Sequence, residues 1–179
     1  MKRGLRMSKK AFLSISEKKR GFFASDESIL ASKQAQSRPA ARIIRSVSTA
    51  AGNVTRSRRG LELRFDGARL ATLNDLLAMT VQERRGYRKA WHKLIHDTAL
   101  VEFGRRPPSF EAVKLTLTRC GPREIDPDAI IPKAPIDGLR YSGFIPDDSN
   151  QVVKSLSLRQ ALGGYSVVIA VSPCAKVGE

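Results

Sequence analysis

Leu61-Glu62-Leu63-Arg64-Phe65-Asp66-Gly67 alternates apolar and charged side chains and then breaks at Asp-Gly. That is the period-two signature of a half-buried strand closed by a turn, and the folded domain is expected to begin here. Downstream, Thr80-Val81-Gln82-Glu83 has the spacing of a capping box. Behind it Tyr87, Trp91, Leu94, Ile95 and Thr98 recur at helical intervals, which predicts a long amphipathic helix to about Glu102. Gly104 to Ser109, with two prolines, closes that helix. Ala112 to Thr118 then alternates Val113, Leu115 and Leu117 inward and reads as a second strand. Pro135 to Tyr141 can form a short helix ended by Gly143. Gln151–Leu158 and Tyr165–Val171 are further strand candidates, with a hairpin turn expected at Gly163-Gly164. The order β-α-β-α-β-β predicts an α/β fold, a small mixed sheet with flanking helices, over residues 61–173.

The 179 residues suffice for one domain, and a 41% hydrophobic content is enough for a core. No run approaches the roughly 20 apolar residues of a spanning helix. Cys120 and Cys174 have no metal-ligand spacing, so neither a zinc site nor a disulfide framework is indicated, and a reducing cytosol fits. The two cysteines read as buried, inert thiols.

The net charge is +15, but it is unevenly distributed: residues 1–59 carry 15 basic and 3 acidic side chains. Ser- and Ala-rich, with only scattered large apolar residues, residues 1–60 read as a disordered basic arm, and residues 174–179 as a short tail. Arg56, Arg58 and Arg59 could neutralise phosphates, although a merely solvated tail is the plain alternative. An organelle presequence is the lesser reading, weakened by Glu17, Asp26 and Glu27. On the long helix Arg84, Arg85, Arg88, Lys89 and Lys93 could line a phosphate-facing surface, or simply be solvated.

Against this background the stretch from Glu124 to Asp148 stands out, with six acids and two bases. Crowded carboxylates repel unless a cation sits among them. Magnesium, which takes a few carboxylates with water and phosphate oxygens, is such a cation. If the chain is extended at Asp126-Pro127-Asp128, both carboxylates point to one side, and Asp148 can join them from beyond the short helix. Lys133 adds a positive charge suited to phosphodiester hydrolysis. The alternative is that these Asp residues belong to ordinary turns.

Asp126-Pro127-Asp128, Lys133, Asp137-Gly138-Leu139, Gly143 and Asp147-Asp148-Ser149 followed by Val152 together resemble the RusA family of Holliday junction resolvases. Thr72-Leu73-Asn74 is similar to that family's Ser/Thr-x-Asn element, which adds Asn74 to the candidate DNA contacts. The resemblance covers about Leu61 to Ser172. It implies a homodimeric, magnesium-dependent endonuclease that nicks four-way DNA junctions. In it Asp126, Asp128 and Asp148 are metal ligands, Lys133 is the catalytic lysine and Asp147 assists. Two departures stand beside it: Ala129 replaces the family's Asn, and the Asp128–Lys133 interval is one residue longer and contains Pro132.

His92 and His96 have an i, i+4 spacing, but Lys93 stands where a metalloprotease needs Glu, so they read as partly exposed surface histidines. Trp91 and Tyr87 read as core or dimer seam rather than base-stacking platforms. No Gly-rich phosphate loop is present, so no nucleotide cofactor is expected. The function expected is therefore structure-selective cleavage of branched DNA in recombination and repair, by a cytoplasmic protein, nucleoid-associated or phage-encoded. The rivals are a non-catalytic nucleic-acid binder with a decayed site and a basic ribonucleoprotein-type structural protein.

Overall fold

All three apolar positions of the Leu61–Phe65 alternation are buried, as are Val113, Leu115 and Leu117. Between these two strands lies a third, carrying buried Val167, Ile169 and Val171. The registers align Leu63 with Ile169 and Ile169 with Leu117, so apolar rows run across the sheet on one face. In this computed structural model residues 39–105 and 107–174 are described. They form α1 (39–48), β1 (Ala51–Ser57), β2 (Gly60–Asp66), α2 (Leu73–Ala78), α3 (Val81–Phe103), β3 (Val113–Gly121), a 3₁₀ turn (Pro127–Ala129), α4 (Lys133–Tyr141), β4 (Val153–Leu162) and β5 (Ser166–Pro173).

The result is a mixed α/β domain on a five-stranded mixed sheet of order β1-β2-β5-β3-β4. Only β3 and β4 pair in parallel. The connection between them carries the 3₁₀ turn and α4, as a parallel crossover requires. α3 starts at the expected capping box, with Thr80 Oγ1 accepting from the Glu83 N–H and Glu83 accepting from the Thr80 N–H. Its buried stripe is Tyr87, Trp91, Leu94, Ile95, Thr98 and Ala99. The Trp91 ring meets Phe65 and Tyr87 edge-on at 5.6 and 6.5 Å, which places both aromatics in the core and removes them as base-stacking candidates. Burial pushes the Tyr87 phenol up to about 12 while its oxygen accepts the Ala71 N–H at 3.0 Å. α4 packs closely on α3 at Gly138, where a Cβ would lie 2.6 Å from Ile95 Cδ1 and 3.3 Å from the Trp91 carbonyl. No helix among the described residues is long and apolar enough to cross a membrane.

Three expectations are corrected. Order begins well before Leu61: α1 buries Ala40, Ile43 and Val47, and β1 pairs with β2 along its whole length. Most of β1's side chains are exposed. It is held by backbone pairing and so leaves no hydrophobic period in the sequence. The disordered-arm reading thus fails for residues 39–60, and its remainder, residues 1–38, lies outside the described residues. The element order correspondingly gains a strand and two helices over β-α-β-α-β-β. Cys120 and Cys174 are half-exposed rather than buried.

The third correction concerns Gly163-Gly164. β4 and β5 run antiparallel but are not neighbours, because β3 lies between them. The connection steps across the end of β3, with the Gly163 N–H donating to the Gly121 carbonyl at 2.9 Å. Gly163 has φ +155°, a conformation side chains disfavour. Burial explains the order. The apolar residues of β5 need a strand on either side, whereas β4 exposes nearly all its side chains and sits at the edge.

Candidate active site

Lys133 is the first residue of α4, and one helical turn brings Asp137 beneath it, with Nζ 2.9 Å from Oδ1. Asp148 arrives from the other side. The loop after α4 is pinned by fully buried Phe144 and Ile145, and the Phe144 carbonyl accepts the Phe110 N–H at 2.9 Å. Beyond it the Ser149 carbonyl accepts from Val152 and Val153, so the Asp148 backbone is held on both flanks. Its carboxylate makes a short contact with the Lys133 ammonium. These hydrogen bonds raise the Lys133 pKa above its ordinary value, and the lysine holds the Asp148 carboxyl below its own. Lys133 is therefore a fixed cation at neutral pH and cannot act as a proton acceptor. Asp147 turns instead toward Arg140 at 3.7 Å.

Asp126 and Asp128 are placed differently from expectation. The chain between them is not extended: Pro127–Ala129 forms a 3₁₀ turn with Asp126 as its N-terminal flank. Each residue of such a turn advances by about 120°, so the same-side geometry of a strand is lost. Both residues are exposed, and neither carboxylate has a hydrogen bond or ion pair among the described residues. The turn sits beside the start of α2 through an antiparallel bridge between Thr72 and Ile130. Thr72-Leu73-Asn74, more than 50 residues earlier in the chain, thus opens α2 next to the Asp126–Asp128 turn. A second capping box, Thr72 with Asp75, fixes that start.

Two supporting residues carried no sequence signal. Gln160 on β4 clasps the backbone just before Asp126, its Oε1 accepting the Ile125 N–H at 2.9 Å and its Nε2 donating to the Ile125 carbonyl at 2.6 Å. Its partner across the β3–β4 register is Arg119, a buried arginine that donates to the Arg123 carbonyl at 3.1 Å. Side by side, they hold the Arg123–Ile125 segment that leads into the turn. Gln160→Ala is expected to lower stability by about 1–2 kcal/mol, because both backbone groups of Ile125 lose their partner. Denaturant titration reads this, and a change below experimental error would show that the clasp does not constrain the loop.

The candidate DNA contacts do not form one patch. Arg56 is committed internally, 3.3 Å from Glu102 and with its guanidinium over the Phe103 ring. Arg58 and Arg59 sit at the exposed tip of the β1–β2 hairpin. Arg84 donates to the Met79 carbonyl at 3.2 Å. Arg85, Arg88 and Lys89 are exposed on α3, and Asn74 is exposed on α2. Arg84 lies 18 residues before Glu102, about 27 Å along the helix, so the hairpin and the basic half of α3 are separate surfaces. His92 and His96 are partly exposed beside the Trp91 face. The His92 ring stacks on Tyr141 with centroids 5.0 Å apart and 17° between planes, and burial lowers its pKa.

The donor chemistry at Asp126, Asp128 and Asp148 is of the hard-oxygen kind magnesium favours. No three His, Cys, Asp or Glu side chains among the described residues are grouped closely enough to hold an ion, and Lys133 occupies the Asp148 carboxylate. As placed, the residues do not fit a shared metal, and no step is derived through one. No protein-family model matches the chain, and a search of curated proteins finds no match.

Proposed function

We propose that this domain is a RusA-like endonuclease acting on branched DNA, with four-way junctions as substrate. The observation that supports this most is the meeting of sequence-remote elements. Lys133, Asp137 and Asp148 form one ion-paired cluster, and three residues before it Ile130 bridges Thr72, beside the Asp126–Asp128 turn. Those elements are the ones on which the resemblance rests. In this reading Lys133 supplies a permanent positive charge to the phosphoryl oxygens as negative charge builds on them, and Asp137 and Asp148 hold its ammonium in place. Asp126 and Asp128, exposed and unpaired among the described residues, face the solvent from which DNA arrives. A magnesium requirement belongs to the proposal through the resemblance. So does a two-fold homodimer, since two symmetric cuts need two identical sites. A cytoplasmic, nucleoid-associated or phage-encoded setting is part of the same proposal.

One observation favours a second reading, a nucleic-acid binder without catalysis: Lys133 and Asp148 neutralise each other, and no three-carboxylate group is formed. The two separate in one gel experiment. Wild-type protein is incubated with a synthetic four-way junction and with linear duplex at matched salt, with magnesium or with chelator. The nuclease reading expects symmetric nicks in the junction only with magnesium. Retarded junction without nicks in either buffer would establish the binder, and equal affinity for both DNAs would point to the structural protein.

A further inference from the structure

Tyr141 closes α4, and 64% of it is exposed. Its ring stacks on His92, His96 approaches at 6.1 Å, and most of the residue is left uncovered. The aromatic platform is thus pre-oriented, with a stacking surface left free. It borders a groove of about 410 Å³ between α3 and α4, lined by Lys89, His92, Lys93, His96, Asp97 and Tyr141.

The charges around the groove are of two kinds. Lys93 is spent on Asp97, at 2.5 Å, and His96 Nδ1 lies 3.8 Å from the same carboxylate. Lys89 and the adjacent Arg88 are exposed and have no acidic partner among the described residues. An aromatic face beside unpaired cations matches the two parts of a nucleotide, a flat base and an anionic backbone. It does not match an acidic peptide, which would leave the ring unused.

The groove shares a helix with the candidate active site. Lys133, Asp137 and Tyr141 follow one another at four-residue intervals on α4, and Tyr141 lies about 12 Å from Lys133 along the helix axis. Asp137 acts electrostatically on His92, which ties the ring stack to the cluster.

We propose that this groove binds a nucleotide displaced from the base stack at the crossover of a branched DNA, its base stacked on Tyr141 and its flanking phosphates met by Lys89 and Arg88. Bases within a linear duplex are stacked on both sides and do not reach the ring, whereas those at a crossover are displaced at lower cost, so the site discriminates for junctions. The proposal rests on the branched-DNA reading above but does not require cleavage.

The test uses the full chain in chelator, so that no DNA is cut, with a single unpaired 2-aminopurine placed at the crossover of a four-way junction. Wild type is expected to quench the probe. Tyr141→Phe keeps the quenching, whereas Tyr141→Ala abolishes it and weakens junction affinity about 10-fold, with linear duplex affinity unchanged. Lys89→Glu, which leaves the ring in place, should weaken junction binding and flatten its dependence on salt, because one phosphate contact is lost. Quenching by Tyr141→Ala equal to wild type would overturn the proposal, as would equal loss on linear duplex. Cleavage assayed separately in magnesium keeps the two readings apart. Absent cleavage with intact Tyr141-dependent quenching sinks only the nuclease, and normal cleavage by a non-quenching wild type sinks only the groove.

Discussion

Asp148→Asn should bind a four-way junction as wild type does and cut it on the order of 100-fold more slowly or not at all. The amide keeps the shape of the side chain but removes the charge that pairs with Lys133. Lys133 then retains only Asp137, at 2.9 Å, and the site loses a carboxylate at the point where the reading puts the chemistry. Binding is spared because the exposed cations of α3 are untouched. The pH dependence has a definite sign. The folded Asp148 carboxyl is held below its ordinary value by Lys133, while the Lys133 ammonium is held above its own. The pair is therefore fully ionised from mildly acidic to mildly alkaline pH. It weakens only when pH falls through the lowered Asp148 value or rises through the raised Lys133 value. Any inflection in the cleavage profile near neutrality must come from another group. Cleavage by Asp148→Asn at wild-type rate would remove this cluster from the mechanism.

Trp91→Ala is expected to destabilise the domain by about 3–5 kcal/mol, the largest stability change foreseen for a single substitution. The indole is fully buried and meets Phe65 of β2 edge-on, so it couples the long helix to the sheet. A typical domain has only about 5–15 kcal/mol in total, so partial unfolding at physiological temperature is foreseen. The shift in urea midpoint measures the effect. Trp91→Phe, which preserves the aromatic contact, should recover most of it. A loss below about 1 kcal/mol for the alanine variant would mean that α3 is not packed on the sheet in this way.

The candidate site divides along similar lines. Sequence spacing marked Lys133 and Asp148 as site residues but put the helix at Pro135 and Asp148 beside Asp126 and Asp128; the structure starts the helix at Lys133 and pairs that lysine with Asp148. The clasp by Gln160 and the buried Arg119 left no trace, because a polar residue on an edge strand and a charged residue in an alternating strand look like solvent-facing positions. Tyr141 was equally silent. Its use depends on α4 lying against α3 so that the ring lands on His92, and no local pattern encodes that packing.

Period and capping chemistry were enough to place β2, β3, the long helix α3 and the short helix α4, because each buries one face and its apolar residues repeat at the element's own spacing. They also marked Glu124 to Asp148 as electrostatically unlike the rest of a chain of charge +15. Strand order was beyond them. β1 is held by backbone hydrogen bonds with little buried side chain. β3 enters between β4 and β5 because the apolar residues of β5 are buried by a neighbour on each side, a requirement met by contacts far apart in sequence. The same non-local packing set the turn at Asp126–Asp128, turning apart two carboxylates that an extended chain would have presented together.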